Sequence, residues 1–513
     1  MIATNVRRLA VYLLIAFAIV SLGLSWWQVI EAPALAARGD NPQVIAARRS
    51  ALRGSIFDAG GQLLASSQVV DGVSRRTYVD TAFTHVIGYA SLRFGTTGVE
   101  RAWDDILTGR SDPNPLNDLV NDILARQPQP RDLTLTIDRR LQDFAAAQLG
   151  SDVGALVALD PATGAVLAMT SSPTYDATPI SGDPQAAAGP MEEISDLPNN
   201  PLVARDRQGR YTPGSVMKVL TAAAALDAGV ITPQTTYPDQ PQQERDGFLV
   251  EGFRVVEHDL GNIRPALWPL SEALQVSSNI FFAHVGLDLG TDQYLDYARR
   301  FGFCDPLVIG SASRGLPVAA SYVTAEAEND CTPFQDRAEL AQASFGQGRV
   351  GVTPVQMALL AATIANDGVM SQPYVVRDVR THAADPGSGP AARVLERYGG
   401  GSERIISAQA AREVRGAMVD AVHGELGRLY AGGANVANFG IDGVSTAGKT
   451  GTAERGPDLP PHSWFIGFVD GADGATPQIA IAVIVEGGGS GSGRAAPIGG
   501  AVMAEWLRIG ADG

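Results

Sequence analysis

An apolar run near the N-terminus constrains the fold of this chain more than any other feature. Leu9 to Ile30 contains no charged residue and, as a helix, is about long enough to span the hydrocarbon core of a bilayer. Arg7 and Arg8 precede the run, and Trp26 and Trp27 fall where aromatic residues gather at a membrane interface. We therefore expect residues 1–8 to form a cytoplasmic tail, residues 9–30 to form a single transmembrane anchor, and the rest to lie on the outer side of the membrane.

A cleaved signal peptide is the competing interpretation of the same run. Ala34-Leu35-Ala36 has the small-x-small form of a cleavage site. The apolar run is longer than the core of a usual signal peptide, which favours the anchor.

Composition excludes several classes of function. The 513 residues are 45% hydrophobic, so a substantial core and more than one domain are expected. The formal net charge of −16, without a basic patch, argues against a nucleic-acid partner. The six histidines show no metal-binding spacing, and the sequence indicates neither a metal nor a cofactor.

Two cysteines, Cys304 and Cys331, fall in the part of the chain expected outside the membrane, where disulfides persist. They are a candidate disulfide. Two separate buried thiols remain the alternative, because the sequence does not show whether the two Cα atoms approach within bridging range.

The segment from residue 31 to 132 is polar and mixed. Gly54 to Ala65 predicts a hairpin that turns at Ala59-Gly60-Gly61, and Val99 to Leu107 predicts a helix. The segment shows no paired carboxylates and no nucleophile beside a base, so we interpret residues 31–132 as a smaller non-catalytic module. The prolines at 128 and 130 indicate a linker.

A second domain is expected from residue 133 to the C-terminus. Two strands near its start, at Ala155 to Leu159 and Ala165 to Thr170, and three near its end predict a five-stranded antiparallel sheet. Helices inserted between the two groups of strands would flank this sheet, which makes the fold class α+β. Residues 384–402, rich in Gly, Ser and Pro, are interpreted as a mobile surface loop.

The sequence from Tyr211 to Leu220 predicts a turn that leads into a buried helix. Ser215 and Lys218 are three residues apart, so a helix places the hydroxyl and the amine on one face, close enough to share a proton. A serine at a helix start also has free backbone N–H groups beside it, which suits an oxyanion. Taken alone, Ser-x-x-Lys is a weak signal.

Two further motifs follow in the same domain. Ser277-Ser278-Asn279 lies in an apolar, helical context, where polar side chains need partners. A capping serine beside an asparagine is the structural alternative. Lys449-Thr450-Gly451, followed by Thr452, lies in a segment with strand character.

The three motifs, in this order and in these contexts, resemble the penicillin-binding proteins and the serine β-lactamases. Segments that resemble transpeptidase-domain signatures are Thr136-Ile137-Asp138, Ala158-Leu159-Asp160-Pro161, Phe345-Gly346-Gln347-Gly348, residues 447–453 and Trp464-Phe465. Segments that resemble the N-terminal module of class B penicillin-binding proteins are residues 53–58 and Gly98-Val99-Glu100. The short chain looks most like the actinobacterial penicillin-binding protein A group, although Ala59-Gly60 departs from the module's usual Arg and small polar residue.

The resemblance implies a serine transpeptidase/β-lactamase-like domain and a role for each motif residue. Ser215 would be the nucleophile, Lys218 its base, Ser277 a proton relay, and Asn279 a ligand of the substrate amide and of Lys218. Lys449, Thr450, Gly451 and Thr452 would bind the substrate, with the backbone N–H groups of Ser215 and Thr452 as the oxyanion hole.

The implied activity is cross-linking of peptidoglycan stem peptides ending in D-Ala-D-Ala, with β-lactams acylating the same serine. The implied partner is a SEDS-type glycan polymerase, and the implied process is cell-wall synthesis during division or shape maintenance. A D,D-carboxypeptidase, a catalytically silent β-lactam-binding sensor or scaffold, and a hydrolytic β-lactamase are the alternatives.

Overall fold

The computed structural model describes residues 2–30, 51–111, 129–324, 331–383, 385–438, 444–456, 458–470 and 477–511. Its α-helices are Ile2–Ser25, Thr84–Ile87, Gly98–Ala102, Asp104–Leu107, Arg139–Leu149, Ala188–Asp196, Lys218–Asp227, Gln240–Asp246, Leu270–Gln275, Asn279–Leu289, Thr291–Arg300, Arg337–Ser344, Pro354–Ala365, Ala408–His423, Glu425–Leu429 and Ala495–Ala511. Trp26–Ile30 is π-helical, and the 3₁₀ segments are Thr81–Phe83, Pro179–Ser181, Gly214–Met217, Pro386–Ser388 and Ala434–Ala437.

The predicted anchor is helical. Ile2–Ser25 continues into the π-helical turn Trp26–Ile30. Within the described part of the chain, Asn5–Gln28 is the one helix long and apolar enough to cross a membrane, with a mean hydropathy of 2.2. The helix fits a membrane anchor. The alternative cleavage site at Ala34-Leu35-Ala36 lies outside the described residues.

A five-stranded sheet lies at the centre of the C-terminal part and confirms the predicted α+β architecture. Each strand pairs antiparallel with its neighbour. The spatial order is Thr446–Ala453, His462–Asp470, Pro477–Val485, Gly154–Leu159, Val166–Ser172. The two strands from the start of the domain therefore lie beside the three from its end, and the Lys-Thr-Gly strand is at an edge of this sheet.

Alternate side chains of this sheet enter two different cores. Along Gly154–Leu159, Ala155, Val157 and Leu159 point into one core, while Leu156 and Ala158 point into the other. The helices Arg139–Leu149 and Ala495–Ala511 cover the second face. The helix Pro354–Ala365, buried at every position, covers the first. A helix that is buried on all sides requires a mainly apolar sequence, and its two buried polar side chains are hydrogen-bonded: Gln356 to the carbonyl O of Phe301 and Thr363 to that of Leu359.

A second sheet of six strands has the order Val394–Arg397, Val376–Thr381, Arg131–Leu135, Ile56–Phe57, Leu63–Val70, Val73–Tyr78. Ile56 pairs with Ala65 and Phe57 with Leu63, which confirms the predicted hairpin. The strand Arg131–Leu135, which spans the expected start of the C-terminal domain at residue 133, pairs parallel with Ile56–Phe57. The sheet thus contains strands from both sides of the expected boundary at residue 132.

The helix expected from Val99 to Leu107 is present with one interruption. Gly98–Ala102 and Asp104–Leu107 are helical, and Trp103 between them packs its ring edge-on against Tyr398 at 4.8 Å. The loop expected at residues 384–402 is wrong in part, because it contains the strand Val394–Arg397, which pairs with Val376–Thr381. The Gly, Ser and Pro residues around this short strand dominate the local composition and conceal it.

The remaining short strands form two-stranded sheets: Ala90–Ser91 with Gly95–Thr96, Phe248–Val250 with Phe253–Val255, Val308–Gly310 with Gly315–Pro317, and Val369–Ser371 with Ser402–Arg404.

Candidate active site

The turn before Ser215 is fixed by backbone contacts with a distant segment. Tyr211 exchanges backbone hydrogen bonds with Val352, and the N–H of Gly214 donates to the carbonyl O of Gly346 at 2.8 Å. Gly214 has a φ of +59°, a conformation that glycine adopts without strain. The chain then forms the 3₁₀ turn Gly214–Met217, which continues as the α-helix Lys218–Asp227. Ser215 therefore lies in the first turn of a buried helix.

Lys218 lies beside the Ser215 hydroxyl, at the buried end of the site. Its Nζ is 2.9 Å from Ser215 Oγ, 2.8 Å from Asn279 Oδ1 and 2.5 Å from the carbonyl O of Ser277. The side chain is fully buried. Burial lowers the pKa of Lys218 to about 7, although the charge of Glu257 opposes this shift. An amine of that pKa is partly neutral at neutral pH and can accept the serine proton.

Ser277 lies in the turn between the helices Leu270–Gln275 and Asn279–Leu289, and Asn279 is the first residue of the second helix. Ser277 has a φ of +59°. Between them Ser278 caps the second helix by accepting a hydrogen bond from the N–H of Phe281 at 3.1 Å. The capping serine is therefore the middle residue of the motif, which leaves the side chains of Ser277 and Asn279 to contact Lys218.

Lys449 approaches the same point from the edge strand. Its Nζ donates to Ser277 Oγ at 2.8 Å and to the carbonyl O of Thr450 at 3.0 Å. Burial, together with the charge of Lys218, holds the pKa of Lys449 well below its ordinary value. The hydroxyl of Thr450 donates to the carbonyl O of Gly432 at 2.7 Å, whereas Thr452 is exposed.

The edge strand also passes close to the start of the nucleophile helix. A Cβ on Gly214 would lie 2.7 Å from the carbonyl O of Thr452, and one on Gly451 would lie 2.7 Å from the carbonyl O of Pro213. The glycines permit this approach. The backbones of Thr452 and Ser215, expected as the two oxyanion donors, thus belong to segments in direct contact.

A buried acid behind the Ser-x-Asn turn was not predicted from the sequence. Glu257 Oε1 accepts a hydrogen bond from the N–H of Asn279 at 2.8 Å, and Oε2 accepts one from Ser278 Oγ at 2.7 Å. His258 Nδ1 lies 3.0 Å from Oε1. No motif marks Glu257, since it contacts the turn only through tertiary folding.

A second unpredicted cluster holds the segment that leads to Ser215. Arg205 Nε pairs with Glu486 Oε1 at 2.8 Å, and the hydroxyl of Tyr211 donates to the same oxygen at 2.9 Å. Arg205 is buried. Glu486, which follows a central strand directly, therefore anchors two points before the nucleophile.

Cys304 and Cys331 form a disulfide with a Cα–Cα distance of 5.2 Å. In the part of the chain that the structure describes, no three His, Cys, Asp or Glu side chains are grouped as a metal site.

Comparison with known proteins gives matches over almost the full chain. A family model described as the penicillin binding protein transpeptidase domain matches residues 154–504. A second, described as the penicillin binding protein A dimerisation domain, matches residues 53–133.

Two similar relatives are peptidoglycan D,D-transpeptidases named PbpA. That of Mycolicibacterium smegmatis is 35% identical over 528 residues, covering 99% of each chain. That of Mycobacterium tuberculosis is 34% identical over 524 residues, covering 97% of this chain and 98% of the relative. A crystal structure of M. tuberculosis penicillin-binding protein A as a ceftriaxone acyl-enzyme superposes with a TM-score of 0.75 at 32% identity, covering 90% of this chain and 100% of that one.

Proposed function

The chain belongs to the penicillin-binding protein transpeptidases, and from that premise we propose that it is a peptidoglycan D,D-transpeptidase, a serine acyltransferase that β-lactams also acylate. One observation supports this most strongly. The fully buried amine of Lys218, with a pKa of about 7, lies 2.9 Å from the hydroxyl of Ser215. A serine hydroxyl is a weak nucleophile until an adjacent base takes its proton.

In the first step Lys218 Nζ accepts the proton of Ser215 as Oγ attacks the carbonyl carbon between the two D-Ala residues of a stem peptide. The new C–O bond forms a tetrahedral oxyanion. Ser277, 3.3 Å from Lys218 Nζ, relays the proton to the leaving nitrogen. The C–N bond breaks, and D-Ala departs with that proton.

In the second step an amine on a neighbouring stem attacks the ester carbon. Its proton passes to Lys218, the C–O bond to Ser215 breaks, and Ser215 Oγ takes the proton back. The product is a cross-linking amide, and the enzyme returns to its starting state. If water attacks instead, the same residues perform a D,D-carboxypeptidase reaction.

The edge strand supplies the substrate contacts in this proposal. Lys449 attracts the terminal carboxylate of the stem peptide, and this negative charge favours the protonated amine. The hydroxyl of Thr452 is the second polar contact, because that of Thr450 is already bonded to Gly432. The N–H groups of Ser215 and Thr452 bind the oxyanion, with about 3 kcal/mol of transition-state stabilisation from each donor.

In our proposal the N-terminal helix anchors the protein in the cell membrane, and the reaction takes place on the extracytoplasmic side. Arg7 and Arg8 before the apolar run favour a cytoplasmic N-terminus, so the catalytic part lies outside the cell, where peptidoglycan is. Residues 31–132 serve as a docking module. The family resemblance leads us to propose a SEDS-type glycan polymerase as the membrane partner.

Intact-mass spectrometry on the full-length protein in detergent, mixed with penicillin and followed over time, tests the proposal. We expect an adduct of one penicillin that lasts for hours and that is missing in Ser215→Ala. An adduct that clears within seconds would identify a β-lactamase. The same adduct in Ser215→Ala, or none in the wild type, would overturn the assignment of the nucleophile.

A further inference from the structure

Glu257 lies directly behind the turn that holds Asn279, and its side chain is only 3% exposed. Its carboxylate accepts hydrogen bonds from the backbone N–H groups of Asn279 at 2.8 Å and of Ile280 at 3.3 Å, the first two residues of the helix Asn279–Leu289. It also accepts a hydrogen bond from the hydroxyl of Ser278. These bonds fix the backbone from which the Asn279 amide reaches Lys218, so Glu257 acts on Lys218 through the turn.

Glu257 also supplies a negative charge close to the buried amine. Burial lowers the pKa of Lys218, and the charge of Glu257 raises it. In turn, burial raises the pKa of Glu257, but the hydrogen bond and charge of His258 and the charge of Lys218 overcome this, and the net shift is downward. The carboxylate therefore stays ionised beside Lys218.

His258 lies on the other side of the carboxylate. Its Nδ1 is 3.0 Å from Glu257 Oε1, and its Nε2 is 2.9 Å from the carbonyl O of Val276. The ring thus lies between the carboxylate of Glu257 and the backbone of Val276, and it packs against the carboxylate on the side away from Ser278 and Asn279.

Other ionisable groups also lie around Lys218 and Glu257. Lys449 faces Lys218 across the Ser277 hydroxyl. The groups next to Glu257 and His258 are Glu244, Asp259 and Tyr430, whose ring is 5.0 Å from the ring of His258. Among the described groups around this pair, Glu257 is the acid whose charge raises the pKa of Lys218 and that also bonds to the Ser-x-Asn turn.

We infer that Glu257 is a positioning residue that holds Asn279 against Lys218 and whose charge sets the pH range in which Lys218 acts as the base. The inference rests on the proposed function, in which acylation requires the neutral amine of Lys218.

The test is the pH dependence of acylation by a fluorescent penicillin, measured on the full-length protein in detergent. We compare the wild type with Glu257→Gln and Glu257→Asp. In the wild type the rate should rise with pH to a plateau, with a midpoint near the Lys218 pKa of about 7. Glu257→Gln removes the charge that raises this pKa, so the midpoint should move about 0.5 to 1 unit to lower pH and the plateau should fall.

Glu257→Asp keeps the charge on a shorter side chain that no longer reaches all its partners in the turn, so the plateau should fall while the midpoint stays near the wild-type value. Glu244→Gln is the matched control: Glu244 is a half-buried acid bonded to the indole N–H of Trp268 at 2.7 Å, and its variant should keep the wild-type midpoint.

A midpoint that falls in Glu257→Gln and stays in place in Glu257→Asp supports the inference, since a merely structural role would lower the plateau of both variants and leave both midpoints in place. An unmoved midpoint in Glu257→Gln overturns it. If Glu257→Gln does not fold, Glu257→Asp decides, and a wild-type plateau or a displaced midpoint in that variant overturns the inference. An unacylated wild type would instead mean that the proposed function itself is wrong.

Discussion

Lys449 Nζ donates a 2.8 Å hydrogen bond to Ser277 Oγ, although the two residues are 172 positions apart. The bond joins the edge strand to the Ser-x-Asn turn. Lys218 Nζ is 3.3 Å from the same oxygen. A hydroxyl can accept two hydrogen bonds, so Ser277 keeps its own proton for a third group, which in our proposal is the leaving amine.

Replacement of Ser277 by alanine should therefore affect chemistry far more than stability. The variant loses the relay and the oxygen that faces both amines, and we expect acylation to slow by about 10²- to 10⁴-fold. The second-order rate constant with a fluorescent penicillin measures this. Ser407→Ala is the control, since Ser407 caps a helix by accepting from the N–H of Ala410. The control should lower stability by about 1 kcal/mol and should keep the wild-type acylation rate. Equal rates in the two variants would exclude a relay at Ser277.

Reduction of the Cys304–Cys331 disulfide should destabilise the protein. The bridge spans 27 positions, for which chain entropy gives about 3.5 kcal/mol. The chain has two cysteines, so a reductant acts on this bond alone. Thermal unfolding with and without reductant, with thiol titration to prove reduction, measures the effect. Unchanged unfolding after complete reduction would contradict the prediction.

The sequence predicted the parts of the site whose signals are local. Ser215 and Lys218 are spaced to share one face of a helix, and Lys449 lies in a segment with strand character. The helix and the strand that carry these residues could therefore be assigned before the fold was known. Glu257 could not be predicted: it follows a short hairpin, and its partners in the Ser-x-Asn turn come 21 and 22 positions later in the chain. Arg205 and Glu486 are 281 positions apart, and no local pattern relates them.

The Arg205–Glu486 pair should matter for both stability and activity. Glu486→Gln leaves a buried guanidinium without its counter-charge and weakens the bond from Tyr211, so the segment before Ser215 loosens. We expect a loss of about 2 to 3 kcal/mol, below the cost for a fully buried pair because Glu486 is 25% exposed. Slower acylation should accompany it.

The control for Glu486→Gln is Asp152→Asn. Asp152 pairs with Arg494, and their side chains are 27% and 46% exposed. Exposed pairs of this kind contribute at most about 1 kcal/mol. Denaturant unfolding of both variants measures the difference, and equal losses would show that Glu486 has no special structural role.

Gly214→Ala tests the close approach of the edge strand to the nucleophile. Gly214 has a φ of +59°, and the new methyl would lie 2.7 Å from the carbonyl O of Thr452. The strand or the turn must shift, which moves the proposed oxyanion donors apart, and a displacement of about 1 Å typically costs about 10²-fold in rate.

Gly229→Ala is the control, matched in backbone strain, because Gly229 has a φ of +68° and no atom within 4 Å of its Cβ position. It should lose about 1 kcal/mol of stability and keep the wild-type acylation rate. If both variants acylate alike, contact between Gly214 and Thr452 does not set the geometry of the reaction.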